Sequence, residues 1–181
     1  GPIQRWLCRS CGYRFSDTEV NQLSLTHLNG AGCPNDEDLP ILPFVGDLTG
    51  SPGTSWPSYR SKYTKSTEVA SAGYYSVDLE RYGVRAELTA TTRTGFARFT
   101  YPATPSARIL VHTGRSATGV GEGSIEIVAP DRIRGTVTAG NFCGSKKTFP
   151  IHFVIVFDQP FTDAGTWLGS AVSPGSTSAT G

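Results

Sequence analysis

Between Tyr74 and Pro160, short runs of alternating or continuous apolar residues follow one another with Gly or Pro between them, and this constrains the fold more than any other feature. The runs are YYSVDL (74–79), VRAELTAT (84–91), FARFTYP (96–102), RILVHT (108–113), SIEIVAP (124–130), RIRGTVTAG (132–140) and FPIHFVIVFDQP (149–160). In VRAELTA, Val84, Ala86, Leu88 and Ala90 share one side while Arg85, Glu87 and Thr89 share the other, as in a strand with one buried face. FVIVF, Phe153 to Phe157, is apolar on both sides and predicts a central strand covered on both faces, with Asp158 and Pro160 limiting aggregation. No amphipathic helix longer than a turn or two and no internal repeat accompanies the strands. The fold class expected is therefore all-β, an antiparallel sandwich.

Composition agrees. The chain has 181 residues, 38% of them hydrophobic, enough for one domain that buries roughly 70% of its unfolded surface. Twenty-one glycines and 12 prolines supply the turns. A formal charge of +1, from 16 basic and 15 acidic residues without a basic stripe, argues against nucleic acid as a partner. No 18-residue apolar run points to a membrane, and the first residues lack a signal-peptide pattern. The absence of methionine implies a processed chain or a piece of a longer one.

Three segments flank the regular strands. Residues 1–11 mix basic and aromatic residues around Cys8 and Cys11 and form an unassigned lead-in. Residues 44–72 have neither strand nor helix period and predict a long exposed loop, in which Trp56, Tyr59 and Tyr63 could stack on sugar if the chain were a free-standing carbohydrate-binding sandwich. Residues 169–181 are small and polar, so the fold is expected to end near Trp167 or Leu168 with a flexible tail or linker beyond.

Chemistry concentrates in SLTHLNGAGCPNDEDLPILP, 24–43. Cys8, Cys11, His27 and Cys33 have a loose zinc-ligand spacing, although no short finger unit lies between them, and the C-x-x-C pair lacks the βαβ setting of a redox motif. His27 fits a general base or a sugar contact, or a hydrogen-bonded structural histidine. His112 and His152 fall in strands and read as structural. Asp36, Glu37 and Asp38 could supply calcium oxygens or paired glycosidase carboxylates, but adjacent residues rarely aim at one point, and a solvated turn explains them. Cys33 and Cys143 are either free thiols or a disulfide worth on the order of 4 to 5 kcal/mol of loop-closure entropy.

The ordered series GYRFSDTEV, LSLTHLNGAGCPNDEDLPILP, AGYYSVDLERYGVRAELTATTRTGFARFTYP, GNFCG and IHFVIVFDQPFTDAGTW resembles the N-terminal β-sandwich of glycoside hydrolase family 92, the calcium-dependent α-mannosidases, over residues 12–168. The resemblance implies a supersandwich of galactose-mutarotase-like type, packed on a downstream α/α-barrel catalytic domain that acts on mannose-containing glycans outside the cell or at its envelope. It implies inverting hydrolysis, with one carboxylic acid protonating the leaving oxygen and a second carboxylate activating water. Those carboxylates and the calcium ligands are expected in the downstream domain, so no catalytic or metal residue is assigned in this chain. The loop from His27 to Asp38 is expected to face the catalytic domain, with His27, Asn29 and Cys33 near the substrate pocket. Tyr74 and Tyr75 are expected to pack or cap a strand.

Overall fold

The computed structural model describes residues 6–7, 14–15, 19–20, 23–26, 37–114, 121–141 and 145–181. The chain divides into two compact units, one formed by 1–32, 40–47 and 56–111, the other by 33–39, 48–55 and 112–181.

The first unit carries β1 (Trp6–Leu7), β2 (Arg14–Phe15), β3 (Glu19–Val20), β4 (Leu23–Thr26), most of β5 (Glu37–Val45), β6 (Ser61–Lys62), β7 (Val69–Ser71), β8 (Tyr74–Leu79), β9 (Val84–Ala90), β10 (Gly95–Thr100) and β11 (Ala107–Val111). They form sheets ordered β10-β9-β8-β7 and β11-β5-β4 and the ribbons β1-β2 and β3-β6. The alternation read in β9 is realised: Val84, Ala86 and Leu88 are buried, as are Tyr75, Val77 and Leu79 from β8. Register explains this, because Leu88 lies opposite Tyr75 and Ala86 opposite Val77, so each pair points to the same side. Phe44 from β5 closes the core edge-on against Tyr59 at 5.5 Å and Tyr82 at 6.0 Å between ring centroids. The Tyr82 hydroxyl donates to the Tyr59 carbonyl at 2.7 Å, which satisfies its one polar atom inside that core.

Two expectations fail here. Residues 44–72 are not a long exposed loop: Trp56–Tyr59 is a 3-10 turn followed by β6 and a second short turn, Lys65–Thr67. Trp56, Tyr59 and Tyr63 are 2%, 3% and 6% exposed, so none offers a face to sugar. A 3-10 turn places residues three apart on one side, which puts Trp56 and Tyr59 inward together although no longer-range period is visible. Nor is the acidic run a solvated turn. Glu37 and Asp38 lie in β5, and Asp38 is 2% exposed; Asp36 lies outside the described residues. Leu39 follows with φ +51°, a conformation costly for a branched residue and rarer still before a proline.

The second unit holds one helical turn, α1 (Pro52–Ser55), and β12 (Gly123–Ala129), β13 (Arg132–Gly140), β14 (Thr148–Val156), β15 (Gly165–Leu168), β16 (Ala171–Pro174) and β17 (Ser178–Thr180). Its sheet runs β14-β13-β12-β17, beside the ribbon β15-β16. Gly135 sits mid-strand because a Cβ there would meet the Ser124 carbonyl oxygen at 2.0 Å and the Phe153 ring at 2.7 Å. Ser51 Oγ donates to the Gly169 carbonyl at 2.6 Å, tying the start of α1 to the end of β15.

Here too sequence and structure part. The strand containing FVIVF is not central: β14 forms an edge of its sheet, with Val154 61% and Val156 59% exposed. Two-sided apolarity reports that both faces suit cover, not that this chain supplies it. Residues 169–181 are not a loose tail but contribute β16 and β17, and Gly181 exchanges two backbone hydrogen bonds with Gly123 at 2.7 and 3.0 Å. Strands of Ser, Ala, Thr and Gly are held by backbone bonds, which leave no trace in side-chain composition. All seven strands expected between 74 and 160 are present, and the described pairings are antiparallel, so the molecule is the all-β architecture expected.

Candidate functional site

The residues singled out for the pocket, His27, Asn29 and Cys33, lie outside the described residues, in the segment joining β4 to β5. So do Cys8, Cys11 and Cys143, and with them the zinc and disulfide readings. Of the other histidines, His112 packs edge-on against Trp167 at 5.6 Å, whereas His152 is exposed on β14.

What the described residues do assemble is a polar network on the face of β8, β9 and β10 opposite Tyr75, Val77 and Leu88, partly covered, with Ser76 fully buried. Glu87 lies directly opposite Arg98 in the β9–β10 pairing. Arg98 grips it as a fork, Nε to Oε2 and Nη2 to Oε1, both at 2.7 Å, and the Tyr74 hydroxyl donates to Oε1 at 2.7 Å. Arg98, first, and Tyr74, second, hold the Glu87 carboxyl down at about 2. Beside it Arg85 donates to Asp78 Oδ1 and Ser76 Oγ, each at 2.8 Å. Glu87 therefore stays ionised at neutral pH with both oxygens engaged, which suits neither a proton donor nor an unencumbered base. The tyrosines are fixed as donors: burial pushes the Tyr75 phenol up, reinforced by its 2.8 Å hydrogen bond to Glu68, and burial does the same to Tyr101, which donates to the Arg108 carbonyl at 2.8 Å. Tyr74 thus ties β8 to β9, and Tyr75 ties β8 to Glu68, the residue just before β7. The network went unread in the sequence, although the turn TTRT between two alternating runs fixes a hairpin register that pairs Glu87 with Arg98.

The first unit also has an open cleft of about 600 Å³ lined by Glu19, Pro57, Ser58, Arg60, Lys62, Glu80 and Arg81. Its charges mostly fasten the chain. Arg60 pairs with Glu19 at 3.0 Å, Arg81 donates to the Ser58 carbonyl and, at 3.3 Å, to that of Arg60, and Glu80 accepts the Thr64 hydroxyl. The Arg81 guanidinium lies 5.3 Å from the centre of the Tyr82 ring, on the segment that closes β8 to β9. The cleft is a seam between 56–62 and that turn, and the nearby aromatic rings face inward rather than into it. Among the described residues no three His, Cys, Asp or Glu side chains converge.

The amino-acid sequence matches the glycosyl hydrolase family 92 N-terminal domain over residues 4–181. The chain belongs to that family. This family 92 domain takes in most of the lead-in and all of the small-residue strands at the C-terminal end. Its fold is similar to that of a family GH92 α-mannosidase from Bacteroides thetaiotaomicron, with TM-score 0.78 and 28% identity over 98% of this chain and 25% of that one. The same enzyme in complex with mannoimidazole gives TM-score 0.78 and 28% identity over 95% and 24%. An inverting family GH92 mannosidase from the same organism shares the fold at 21% identity and TM-score 0.73, over 96% and 23%. The chain thus spans about a quarter of the length of these enzymes. None of the curated proteins matches it in sequence.

Proposed function

We propose that this family 92 domain is the N-terminal part of an α-mannosidase, which packs on a catalytic domain and helps to shape the mannoside pocket. The observation that carries the reading is the family match over residues 4–181, supported by 28% identity to an α-mannosidase that has been solved with mannoimidazole. The chemistry of the described residues agrees with a supporting role, since the one strongly shifted carboxylate, Glu87, is locked in an arginine fork. General acid, general base and calcium ligands are assigned to the catalytic domain, where calcium would hold and polarise the sugar. This chain's part is to bring the His27–Asp38 segment to the pocket, with His27, Asn29 and Cys33 as neighbours of the substrate rather than proton carriers. A glycan substrate agrees with secretion or attachment to the cell envelope. No described helix is long and apolar enough to cross a membrane.

The test is the hydrolysis of an α-mannoside by the polypeptide that extends beyond residue 181. His27→Ala and Asn29→Ala should each raise KM roughly tenfold, the equivalent of losing one good hydrogen bond of about 1.4 kcal/mol. Arg60→Ala, in the seam, should leave KM unchanged. Equal kinetics for all three variants would remove the pocket role from this segment.

A further inference from the structure

Among the described residues β14 has a paired strand, β13, on one side only. Asn141 N–H donates to the Lys147 carbonyl and Phe157 N–H to the Asp131 carbonyl, both at 2.8 Å, so the odd-numbered residues of this strand bond to β13. The even-numbered residues point their backbone groups the other way. Pro150 is even-numbered, so its missing N–H costs the β13 ladder nothing and blunts only the outer edge. Beyond it, His152, Val154 and Val156 turn N–H and C=O groups outward, and none of these has a hydrogen-bond partner among the described residues.

Edge strands are usually protected by charge, proline or brevity. At the edge of the other four-stranded sheet, β10 carries Arg98. In contrast, β14 runs nine residues without a Lys, Arg, Asp or Glu, and its stretch from Ile151 to Val156 has no proline. From Phe153 to Val156 its side chains are apolar on both faces, with Val154 and Val156 about 60% exposed and Phe153 and Ile155 only half-buried. A helix or loop could cover the valines but could not satisfy a row of alternating donors and acceptors. An extended strand does both.

We infer that His152–Val156 is a strand-addition site, filled by an apolar strand from the polypeptide that continues this chain in the full-length enzyme. This rests on the proposed function, and the fourfold greater length of the solved relatives supplies the source of the strand. Addition makes β14 the central strand that its two-sided apolarity calls for.

Hydrogen exchange on the longer polypeptide tests the assignment, with odd-numbered amides as the internal standard. The amides of His152, Val154 and Val156 are expected to exchange within about tenfold of those of Phe153 and Ile155, because strand amides bonded on both sides open together. Val154→Pro removes an outward N–H and none toward β13, so it should raise exchange at His152 and Val156 while Phe153 and Ile155 stay protected. Even-numbered amides exchanging at least a hundredfold faster than odd ones in an enzyme that hydrolyses α-mannosides would overturn the strand-addition site while leaving the proposed function standing. Protection of the even amides that grows with protein concentration would assign the edge to a second copy and equally overturn it.

Discussion

Glu87 shows how a residue with catalytic credentials can be spoken for by its neighbours. Its carboxyl is held at about 2 by the Arg98 fork and the Tyr74 hydroxyl, below the value near 4.3 expected in the unfolded chain. The sign follows: because the folded state depresses this pKa, its contribution to stability is complete above about pH 4.3 and is lost as pH falls toward 2. Glu87→Gln should lower the urea midpoint at neutral pH, and the gap from the parent should close between about pH 4.5 and 2; a gap independent of pH would contradict the network. Trp56 makes the opposite case, an aromatic with binding credentials that is 2% exposed. Trp56→Ala should cost about 3 to 5 kcal/mol in denaturant unfolding, while retention on a mannan column stays as it was. Neither environment was visible in the residue itself. Glu87 needed the hairpin register, and Trp56 needed the 3-10 turn that folds a segment without periodicity inward.

At the scale of elements, alternation and length were legible wherever side chains set the pattern. The strands from Tyr74 to Val156 form where the runs predict them, because burial of one face imposes period 2 on the sequence. What stayed illegible was structure held by backbone alone. β16 and β17 carry only small side chains and Val172, yet β17 covers the second edge of the β14-β13-β12 sheet. Truncation after Leu168 should therefore destabilise the unit by a few kcal/mol, the sum of several backbone hydrogen bonds at about 0.5–1.5 kcal/mol each. A melting temperature unchanged by that truncation would return these residues to the status of a tail. Gly53 sets a tighter constraint, since a Cβ there would lie 2.5 Å from the Gly169 carbonyl oxygen. Gly53→Ala should separate α1 from β15 at a cost of about 1–3 kcal/mol, read as a lower midpoint in urea.

For the whole molecule, the ordered motifs reached further than any single residue. They resembled family 92 across residues 12–168, and the family match extends over 4–181. The candidate site was less legible than the fold, because His27, Asn29 and Cys33 stand in a segment with no strand or helix period to assign them a face, and they lie outside the described residues. The acidic run illustrates the gap: three adjacent carboxylates looked solvated, yet β5 carries Asp38 into the interior. The most direct measurement of the central claim is release of mannose from an α-mannoside by the polypeptide that extends past residue 181, with and without a calcium chelator. The account predicts steady release that the chelator abolishes and calcium restores, and none from residues 1–181 alone. Chelator-sensitive release by residues 1–181 themselves, or no release by the longer chain, would contradict it.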